Sequence, residues 1–530
     1  MYWVDRDVEQ IQQRFADHIA AGSTILVRDE KTASGRVHVG SLRGVAVHSL
    51  VARALRQAGV QAKFVYEIND FDPMDGLPSY LPKEEYAEHM GKPLRDVPSP
   101  EPDKAENFAE YYGQEFERTI EGLGFQVEFS RLYPKYKAGE FNDVITQALE
   151  HPDQIRAIYK EVSGSEKPDD WYPLQVVCPD CGKVGTTKVT GFDGSLVSYV
   201  CLPDLVEWAT GCGGSGEISP YNGNAKLAWK VEWAAKWKVY GVHVEGAGKD
   251  HNAAGGSRDV ASHIVGPVFQ YDDPYDIKYE FLLLGGKKMS SSKGIGAAAS
   301  EMAALLPTEL VRLLMIGNKP QQAVDFDASG DTVVKLFDRY DELAAHYFDR
   351  QDGERQRDFV RQFEMIHPEG AELPDRFLPP FSQIVFLSQM PNADLEARVT
   401  EMKGSTLTDA DKAEIAHRVE AAQRWLEMAA PEQYIYQIQE EIPSDLQLDE
   451  EQREALGRIA DLIEAGKRDE ELQTALFAVV KDELGVQPKK VFQAIYQSLL
   501  GRDSGPKAGT FLSALDTDMV VSRFRELSHS

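Results

Sequence analysis

The chain has 530 residues and a mass of 59.1 kDa, which is too long for one hydrophobic core and predicts two to four domains. Charged residues near the N-terminus, and the lack of any run of about 18 apolar residues, argue against a signal peptide or membrane span and favour a cytoplasmic protein. The formal charge of −29 excludes a polyanion binder that acts by long-range attraction. Any nucleic acid must therefore be bound by local basic and aromatic surface.

The first 70 residues alternate between element types. An apolar strand at 24–27 is followed by the loop 32–40, a helix-patterned segment at 42–58 and a second strand at 62–68. Strand, loop, helix and strand form a βαβ unit, which implies a parallel sheet. Such sheets place ligands at the loop after the first strand.

The middle of the chain is predicted to interrupt this sheet and then complete it. A Gly-rich and Asp-rich segment that contains every cysteine lies between Pro173 and Pro220. Helices are predicted at 108–123 and 141–163, and strands at 241–246 and 278–284. The two late strands are expected to complete the first sheet after an insertion.

Beyond residue 305 the chain is predicted to be helical, apart from a Pro-rich break at 373–381. Amphipathic helices are predicted at 359–366, 410–428, 456–465, 472–484 and 490–500. The fold class is therefore α/β, a Rossmann-type parallel-sheet catalytic domain with an insertion, followed by an all-helical C-terminal region. The predicted boundaries are 1–100 (catalytic domain, first half), 101–225 (insertion, with a zinc-binding segment at 172–220), 226–305 (second half), 306–350 (connecting helices) and 351–530 (all-helical region).

Two segments have the composition of phosphate-binding elements. In the first, Gly35, His38, Gly40 and Ser41 precede the first long helix, whose free N–H groups favour an anion. A His-x-Gly string alone recurs by chance, and a capped turn is then the more frequent meaning.

The second segment, Gly285 to Gly294, follows an apolar strand and holds lysines and hydroxyls between glycines. Lysines neutralise phosphate charge, hydroxyls bind its oxygens and glycines permit loop closure. Because Lys288-Met289-Ser290 followed by Ser292 is a rare string, the pair of segments favours polyphosphate binding over a capped turn and a solvated basic turn.

These motifs resemble those of class I aminoacyl-tRNA synthetases, whose H-x-G-H and K-M-S-K-S motifs bind ATP on a Rossmann-type sheet. Ser41 replaces the second His, and Ser291 replaces the middle Lys, with Lys293 following. Five strings in order, which together cover about residues 25 to 295, look most like class I lysyl-tRNA synthetase. They are Thr32 to Ser41, Asn69 to Asp72, Trp229 to Trp233, Gly248 to His251 and Lys288 to Gly294.

The resemblance implies activation of L-lysine by ATP with Mg²⁺, followed by transfer of lysine to the 3′-terminal adenosine of tRNA(Lys), with AMP and pyrophosphate released. His38, Lys288 and Lys293 are then the expected catalytic residues. The expected ATP-binding residues are Gly35, His38, Gly40, Ser41, Gly248, Asp250, Lys288, Met289, Ser290, Ser292 and Lys293. The C-terminal helices are expected to bind the anticodon, and a monomer is favoured.

A lysine pocket needs carboxylates or aromatic faces for an ammonium that has lost its water. By resemblance Thr32, Trp229, His251 and Tyr279 line this pocket, whereas Trp233 and Trp237 are more often core residues. We also expect Glu30, Asp70 or Asp72 to pair with the ammonium. For Asp70 and Asp72 a loop-capping role is an equal alternative.

The four cysteines are Cys178, Cys181, Cys201 and Cys212. Cys178-Pro-Asp-Cys181-Gly182 is a zinc knuckle, in which two thiolates leave a tight turn. Cys201 and Cys212 are ten residues apart, which weakens the second half of the pattern. A closed structural Cys₄ zinc site is favoured over four free thiols.

Three other functions fit part of the sequence. The same fold could activate glutamate or arginine, and a glutamate pocket would call for basic residues. A nucleotidyltransferase could use both phosphate elements without tRNA, but the long helical region argues against it. A catalytically silent RNA-binding protein is disfavoured because His38, Asp250 and Lys288 occur together.

Overall fold

The structure, a computed structural model, describes residues 1–288, 298–349, 354–390 and 393–529. The chain divides into one unit of residues 1–326 and 342–371 and another of residues 327–341 and 372–530. Within the described residues no helix is both long and apolar enough to cross a bilayer.

The elements up to Phe326 are, in chain order, α1 (Trp3–Arg14), α2 (Ala16–Ala20), β1 (Ile25–Thr32), α3 (Ser41–Gln57), β2 (Ala62–Asn69), α4 (Lys83–Tyr86), α5 (Phe108–Gly122), β3 (Glu128–Arg131), α6 (Leu132–Lys137), α7 (Asn142–Glu150), α8 (Pro152–Ser163), β4 (Leu174–Val176), β5 (Thr187–Phe192), β6 (Val197–Cys201), β7 (Ser215–Ile218), β8 (Ala225–Leu227), α9 (Trp229–Tyr240), α10 (Lys249–Asn252), α11 (Ser257–Phe269), β9 (Leu282–Leu284), β10 (Lys287–Lys288), α12 (Ala299–Leu305), α13 (Thr308–Ile316) and β11 (Val324–Phe326). The later helices are α14 (Thr332–Asp349), α15 (Glu354–Ile366), α16 (Phe381–Leu387), α17 (Leu395–Lys403), α18 (Asp409–Met428), α19 (Glu450–Glu464), α20 (Asp469–Phe477), α21 (Pro488–Leu500), α22 (Ala508–Ser513) and α23 (Thr517–His529).

The predicted βαβ unit is confirmed. Strands β1 and β2 are parallel from the Ile25–Ala62 pair to the Thr32–Asn69 pair, and β3 pairs in parallel with the other edge of β2. The connecting helix α3 begins at Ser41 and is buried along nearly its whole length. A helix that is apolar on most sides must be covered on most sides, so α3 lies in the interior.

The predicted completion of the first sheet is only partly correct. In place of a strand at 241–246, Val244 alone forms parallel bridges, to Val27 and to Tyr275. Gly241, with φ of 70°, is the residue that terminates α9. The extended segment is therefore shorter than predicted, because its first residue belongs to the end of the helix. The strand predicted at 278–284 is reduced to β9, which pairs with β10 and β11 in a separate sheet.

Two predicted helices are also corrected. The helix predicted at 141–163 is broken between α7 and α8, because proline at the first turn of α8 cannot continue the preceding helix. The helix predicted at 472–484 is α20 followed by a π-helical segment, Ala478–Glu483.

The insertion contains short antiparallel strands. Strand β4 pairs with β8, and β6 lies between β5 and β7. Apolar residues of these strands join the core that α9 and α11 form with Leu26, near the start of β1. Strand β8 leads directly into α9, so the insertion is continuous with a helix of the site described below.

The second unit is helical, as predicted. Its core is formed by apolar residues of α16 and α19 to α23, among them Leu456, Ile495 and Phe511. Helix α18 has the amphipathic pattern predicted at 410–428, and Thr408 and Asp411 form a capping box at its start.

Candidate active site

A cavity of about 280 Å³ opens at the carboxyl end of β1, where the sheet topology predicts a ligand. It brings together segments that are up to 253 residues apart in the chain. It is lined by Asp29, Glu30, Lys31, Thr32, His38, Gly40, Ser41, Tyr66, Trp229, Trp233, Glu245, Gly246, Ala247, Gly248, Asp250, His251, Tyr279, Glu280, Phe281 and Leu282.

Aromatic rings form one wall of the cavity. The ring centroids of Trp229 and Trp233 lie 5.5 Å and 5.3 Å from that of His251, each in an edge-on arrangement. Trp229 is 42% exposed and Trp233 is 6% exposed. Trp229, Trp233 and Trp237 all lie on α9, and Trp237 is fully buried. The two outer rings can pack against an alkyl chain and also attract a cation.

The first phosphate element lies at the N-terminus of α3. His38, Gly40 and Ser41 line the cavity, and the N–H of Ser41 donates to the carbonyl of His38 at 3.0 Å. Gly35 does not line the cavity. Its φ of 146° and its close approach to Pro78 explain the glycine as a feature of the loop itself.

Gly248 is the residue before the short helix α10, and it forms a β-bridge with Tyr279. Gly248, Asp250 and His251 line the same cavity as His38. In the second phosphate element, Lys288 is the last residue of β10. Met289, Ser290, Ser292 and Lys293 lie outside the described residues.

Arg28 lies on the face of β1 that also carries Glu30 and Thr32, because side chains alternate along a strand. Its guanidinium is fully buried and pairs with Glu245 at 2.6 Å, Glu30 at 2.5 Å and Glu67 at 3.1 Å. The carboxylate of Glu245 also accepts hydrogen bonds from the indole N–H groups of Trp233 and Trp237. Both terminal nitrogens of the Arg28 guanidinium are therefore paired with acids of the protein, which disfavours Arg28 as a binding group for a substrate carboxylate.

Lys236, on α9, is the second buried cation of this region. Its ammonium lies 2.5 Å from Glu30, 2.7 Å from Glu67 and 3.4 Å from Glu232. Burial acts to raise the pKa of Glu30, but Lys236 and Arg28 outweigh it and hold that pKa well below its usual range. Glu30, expected to pair with the substrate ammonium, lines the cavity but is already neutralised by two cations of the protein.

A third cation, Lys226 of β8, extends the network to Thr32. It pairs with Glu232 at 2.6 Å and with Asp72 at 2.9 Å, and Asp72 accepts a hydrogen bond from the hydroxyl of Thr32 at 2.6 Å. Thr32 lines the cavity, whereas Asp72 lies behind it. The hydroxyl proton of Thr32 is thus directed away from the cavity, which leaves its oxygen as an acceptor there.

Asp70, the third acid expected to pair with the ammonium, lies outside the cavity lining. Its carboxylate accepts the backbone N–H of Tyr133 at 2.8 Å, at the start of α6. This arrangement corresponds to the loop-capping alternative.

The four cysteines converge in the insertion. Their sulfur atoms all lie within 4.8 Å of one another, with Cys178 and Cys212 3.6 Å apart and Cys181 and Cys201 3.8 Å apart. Tetrahedral zinc with Zn–S bonds of about 2.3 Å requires sulfurs about 3.8 Å apart, whereas a disulfide requires about 2.05 Å. Gly182 adopts the left-handed conformation that the knuckle turn requires, with φ of 73°. The donor set fits zinc.

Several cavity residues were missed by the sequence analysis. They are Asp29, Lys31, Tyr66, Glu245, Gly246, Ala247, Glu280, Phe281 and Leu282. One signal was available: Arg28-Asp29-Glu30-Lys31 continues an apolar strand, and four charges on a buried strand require partners or a function.

Comparison with known proteins gives the following matches. Residues 1–369 match the family profile described as "tRNA synthetases class I (K)", and residues 383–527 match "Anticodon binding domain". The lysine–tRNA ligase 1 of Methanosarcina acetivorans is 36% identical, covering 100% of this chain and 98% of its own length. The lysine–tRNA ligase of Archaeoglobus fulgidus is 34% identical and covers 99% of each chain.

Proposed function

Because the chain belongs to the class I lysyl-tRNA synthetases, we propose that it is a lysine–tRNA ligase that uses ATP, L-lysine and tRNA(Lys). The observation that carries the proposal is the cavity at the end of β1. It combines an aromatic wall, buried acids and the first phosphate element in one enclosed space.

In the first step an oxygen of the lysine carboxylate attacks the α-phosphorus of ATP. The bond from that phosphorus to the bridging oxygen of the β-phosphate breaks, and lysyl-adenylate and pyrophosphate are formed. His38 donates to a phosphate oxygen, and Lys288 and Lys293 neutralise the charge that develops, with Mg²⁺ on the phosphates. Gly40 and Ser41 present the start of α3 to the phosphates, and Gly248 and Asp250 hold the ribose. Met289, Ser290 and Ser292 are proposed to bind ATP as well.

In the second step a hydroxyl of the 3′-terminal adenosine of the tRNA attacks the carbonyl carbon of lysyl-adenylate, and AMP leaves. The anticodon-binding role belongs to the helical region proposed at 351–530, which contains the matched anticodon-binding segment 383–527. The first region, at 1–100 and 226–305, carries the chemistry, with the insertion at 101–225 and the connecting helices at 306–350.

Charge in the cavity favours lysine over glutamate. A glutamate side chain would need a cation, but Arg28 is held by three carboxylates. Trp229, Trp233 and His251 provide the aromatic surface that suits a long alkyl chain with a terminal ammonium.

The proposal is tested by ATP–pyrophosphate exchange with each of the twenty amino acids, followed by charging of tRNA(Lys). We expect exchange with lysine alone to exceed background by at least about 100-fold, because a site built to bind a polar group strongly rejects substrates that lack it. Ornithine, which is one methylene shorter, is the matched control and should be used less efficiently. Exchange with arginine or glutamate and none with lysine would contradict the proposal.

We also propose that Cys178, Cys181, Cys201 and Cys212 hold a structural zinc ion. The N–H of Cys212 donates to the sulfur of Cys201 at 3.3 Å, and the N–H of Gly214 donates to the sulfur of Cys212 at 3.4 Å. Such donors stabilise thiolates, which are the form that binds zinc. With four protein ligands the site is closed, so the ion supports the insertion and takes no part in the reaction.

Metal analysis of the purified protein is expected to find about one equivalent of zinc, and Cys181→Ser is expected to reduce it below half an equivalent. The same variant should lower the melting temperature, because zinc binding contributes to folding. Ser195→Ala, in the loop between β5 and β6, is a matched control that should retain the metal. A wild-type protein with less than half an equivalent would exclude the zinc site.

A further inference from the structure

Asp29 is a buried carboxylate in the cavity wall, on the face of β1 opposite to Arg28 and Glu30. Its side chain is 13% exposed, and one of its oxygens accepts the backbone N–H of Glu30 at 2.8 Å. Among the described residues, no lysine or arginine approaches it within 4.0 Å. A buried carboxylate without a cation is costly, and this one faces a ligand-sized space.

His48, which lies 3.5 Å from the second oxygen of Asp29, is not the missing cation. Its Nε2 accepts the backbone N–H of Gly246 at 2.8 Å, so the ring proton is on Nδ1, which donates to the carbonyl of Gly44 at 2.7 Å. Burial also lowers the pKa of His48. The ring is therefore neutral.

Other cavity carboxylates are already neutralised or shared. Glu30 pairs with Lys236 and Arg28. Glu245 pairs with Arg28 and accepts two indole N–H groups. Glu280 pairs with Lys249 at 2.8 Å. Asp250 belongs to the segment that matches the ribose-binding string of the family.

Two phenol groups lie beside Asp29. Tyr66 is its register partner on β2, so both side chains project from the same face of the sheet. The hydroxyl of Tyr279 and a carboxylate oxygen of Asp29 both occupy the space where a β-carbon on Gly44 would lie. The lack of a side chain at Gly44 thus leaves room for both oxygens beside α3. Burial holds the pKa values of Tyr66 and Tyr279 well above their usual range, so both remain neutral.

Lys31, two residues further along the same face of β1, is a competing cation. It lines the cavity and interacts electrostatically with Asp29, but burial outweighs this attraction and lowers the pKa of Lys31. Lys31 therefore does not neutralise Asp29 as a directly paired cation would.

We propose that Asp29, together with the hydroxyl of Tyr279, binds the side-chain ammonium of the lysine substrate. The assignment deepens the proposed function and rests on it. The alkyl chain of the substrate passes the rings of Trp229 and Trp233, and its ammonium reaches the wall that carries the Asp29 carboxylate and the Tyr279 hydroxyl. Burial raises the pKa of Asp29, and a bound ammonium would keep the group ionised.

The test is Asp29→Asn in lysine-dependent ATP–pyrophosphate exchange. We expect the KM for lysine to rise about 10- to 100-fold, the range for losing a hydrogen bond to a charged group, with the KM for ATP unchanged. Tyr279→Phe should raise the lysine KM by less, about 3- to 10-fold. Glu128→Gln, which removes a carboxylate on the exposed end of β3, is the matched control and should leave both constants unchanged.

Two lysine analogues separate the substrate's ammonium groups. 6-Aminohexanoate keeps the side-chain ammonium and lacks the α-ammonium, and Asp29→Asn should abolish its inhibition of exchange. Norleucine keeps only the α-ammonium, and its weak inhibition should not change. A folded Asp29→Asn protein with an unchanged lysine KM overturns the assignment, as does a raised ATP KM or a selective loss of norleucine inhibition.

The melting temperature and zinc content of each variant establish that it is folded. If Asp29→Asn does not fold, Tyr279→Phe decides by the same two analogues. A wild-type protein without lysine-dependent exchange refutes the proposed function itself, whereas failure of the assignment alone leaves wild-type exchange intact.

Discussion

Replacing Lys236 by methionine is expected to reduce the free energy of unfolding by about 3–5 kcal/mol, the cost of removing one partner of a buried ion pair. The Lys236 ammonium is fully buried and contacts Glu30, Glu67 and Glu232. Methionine fills much the same volume, so the loss reports the charge and not a cavity. Arg28 alone would then face the carboxylates of Glu30 and Glu67.

The loss should depend on pH in a defined direction. In the wild-type protein the pKa of Glu30 is depressed, so the pairing contributes stability above the unfolded pKa, about 4.3, and loses it as the pH falls. Without Lys236, burial raises the pKa of Glu30. The difference between wild type and variant should therefore be large at pH 7.5 and smaller at pH 5.

Urea unfolding at the two pH values, followed by circular dichroism, measures this effect. Lys238→Met is the matched control, because Lys238 lies on the same helix and its ammonium donates to the neutral amide of Gln147. It should change stability by less than about 0.5 kcal/mol. Equal losses for the two variants, or a loss that grows on acidification, would show that the buried network does not stabilise the fold as described.

His38→Ala is expected to lower the kcat of lysine-dependent exchange by about 100- to 1,000-fold, the usual effect of removing a donor that stabilises transition-state charge. His38 lines the cavity in the loop between β1 and α3, beside Gly40 and Ser41. Because its proposed contact is with a phosphate oxygen as charge develops, the KM for lysine should change by less than about threefold.

Steady-state exchange over a range of lysine and ATP concentrations separates the two constants. His263→Ala removes a histidine from the exposed side of α11 and is the matched control, which should retain wild-type kcat. A variant at His38 that loses lysine affinity and keeps its kcat would falsify the assigned role and indicate a substrate-positioning residue instead.

Three buried cations near the cavity are paired with carboxylates of the protein, and none of the three lines the cavity. Arg28, which could bind a carboxylate, is held by Glu30, Glu67 and Glu245. Lys226 and Lys236 are held in the same way. With these cations paired, Asp29 is the wall carboxylate that we propose binds the positive end of the substrate.

Much of the protein was predictable from local chemistry. The βαβ unit follows from apolar strands that flank an apolar helix, and the start of α3 at Ser41 follows from the glycine-rich loop before it. The cysteine cluster was predictable because a zinc knuckle has its own turn signature. The five family strings could be recognised because each consists of residues that are close together in the chain.

The late strands were only partly predictable. Apolar patterning marks 241–246 and 278–284 as extended, but whether such a segment forms a ladder depends on which backbone lies beside it. Val244 forms one isolated β-bridge on each side, and β9 pairs with β10 and β11 instead of with β1. Hydrogen-bond partners of this kind are absent from the sequence pattern of the segment itself.

The ammonium site was decided by the tertiary structure. The sequence pointed to Glu30, a carboxylate beside a substrate-binding string, and could not show that Lys236, 206 residues further along, neutralises it. The same holds for Asp72, which Lys226 and Thr32 engage, and for Asp70, which caps a helix. Charge pairing depends on distance in space and on burial, so the sequence by itself predicted a parallel sheet with two phosphate-element motifs and an acidic, aromatic pocket. Only the folded arrangement decided which of the described cavity acids is paired with a lysine or arginine and which is not.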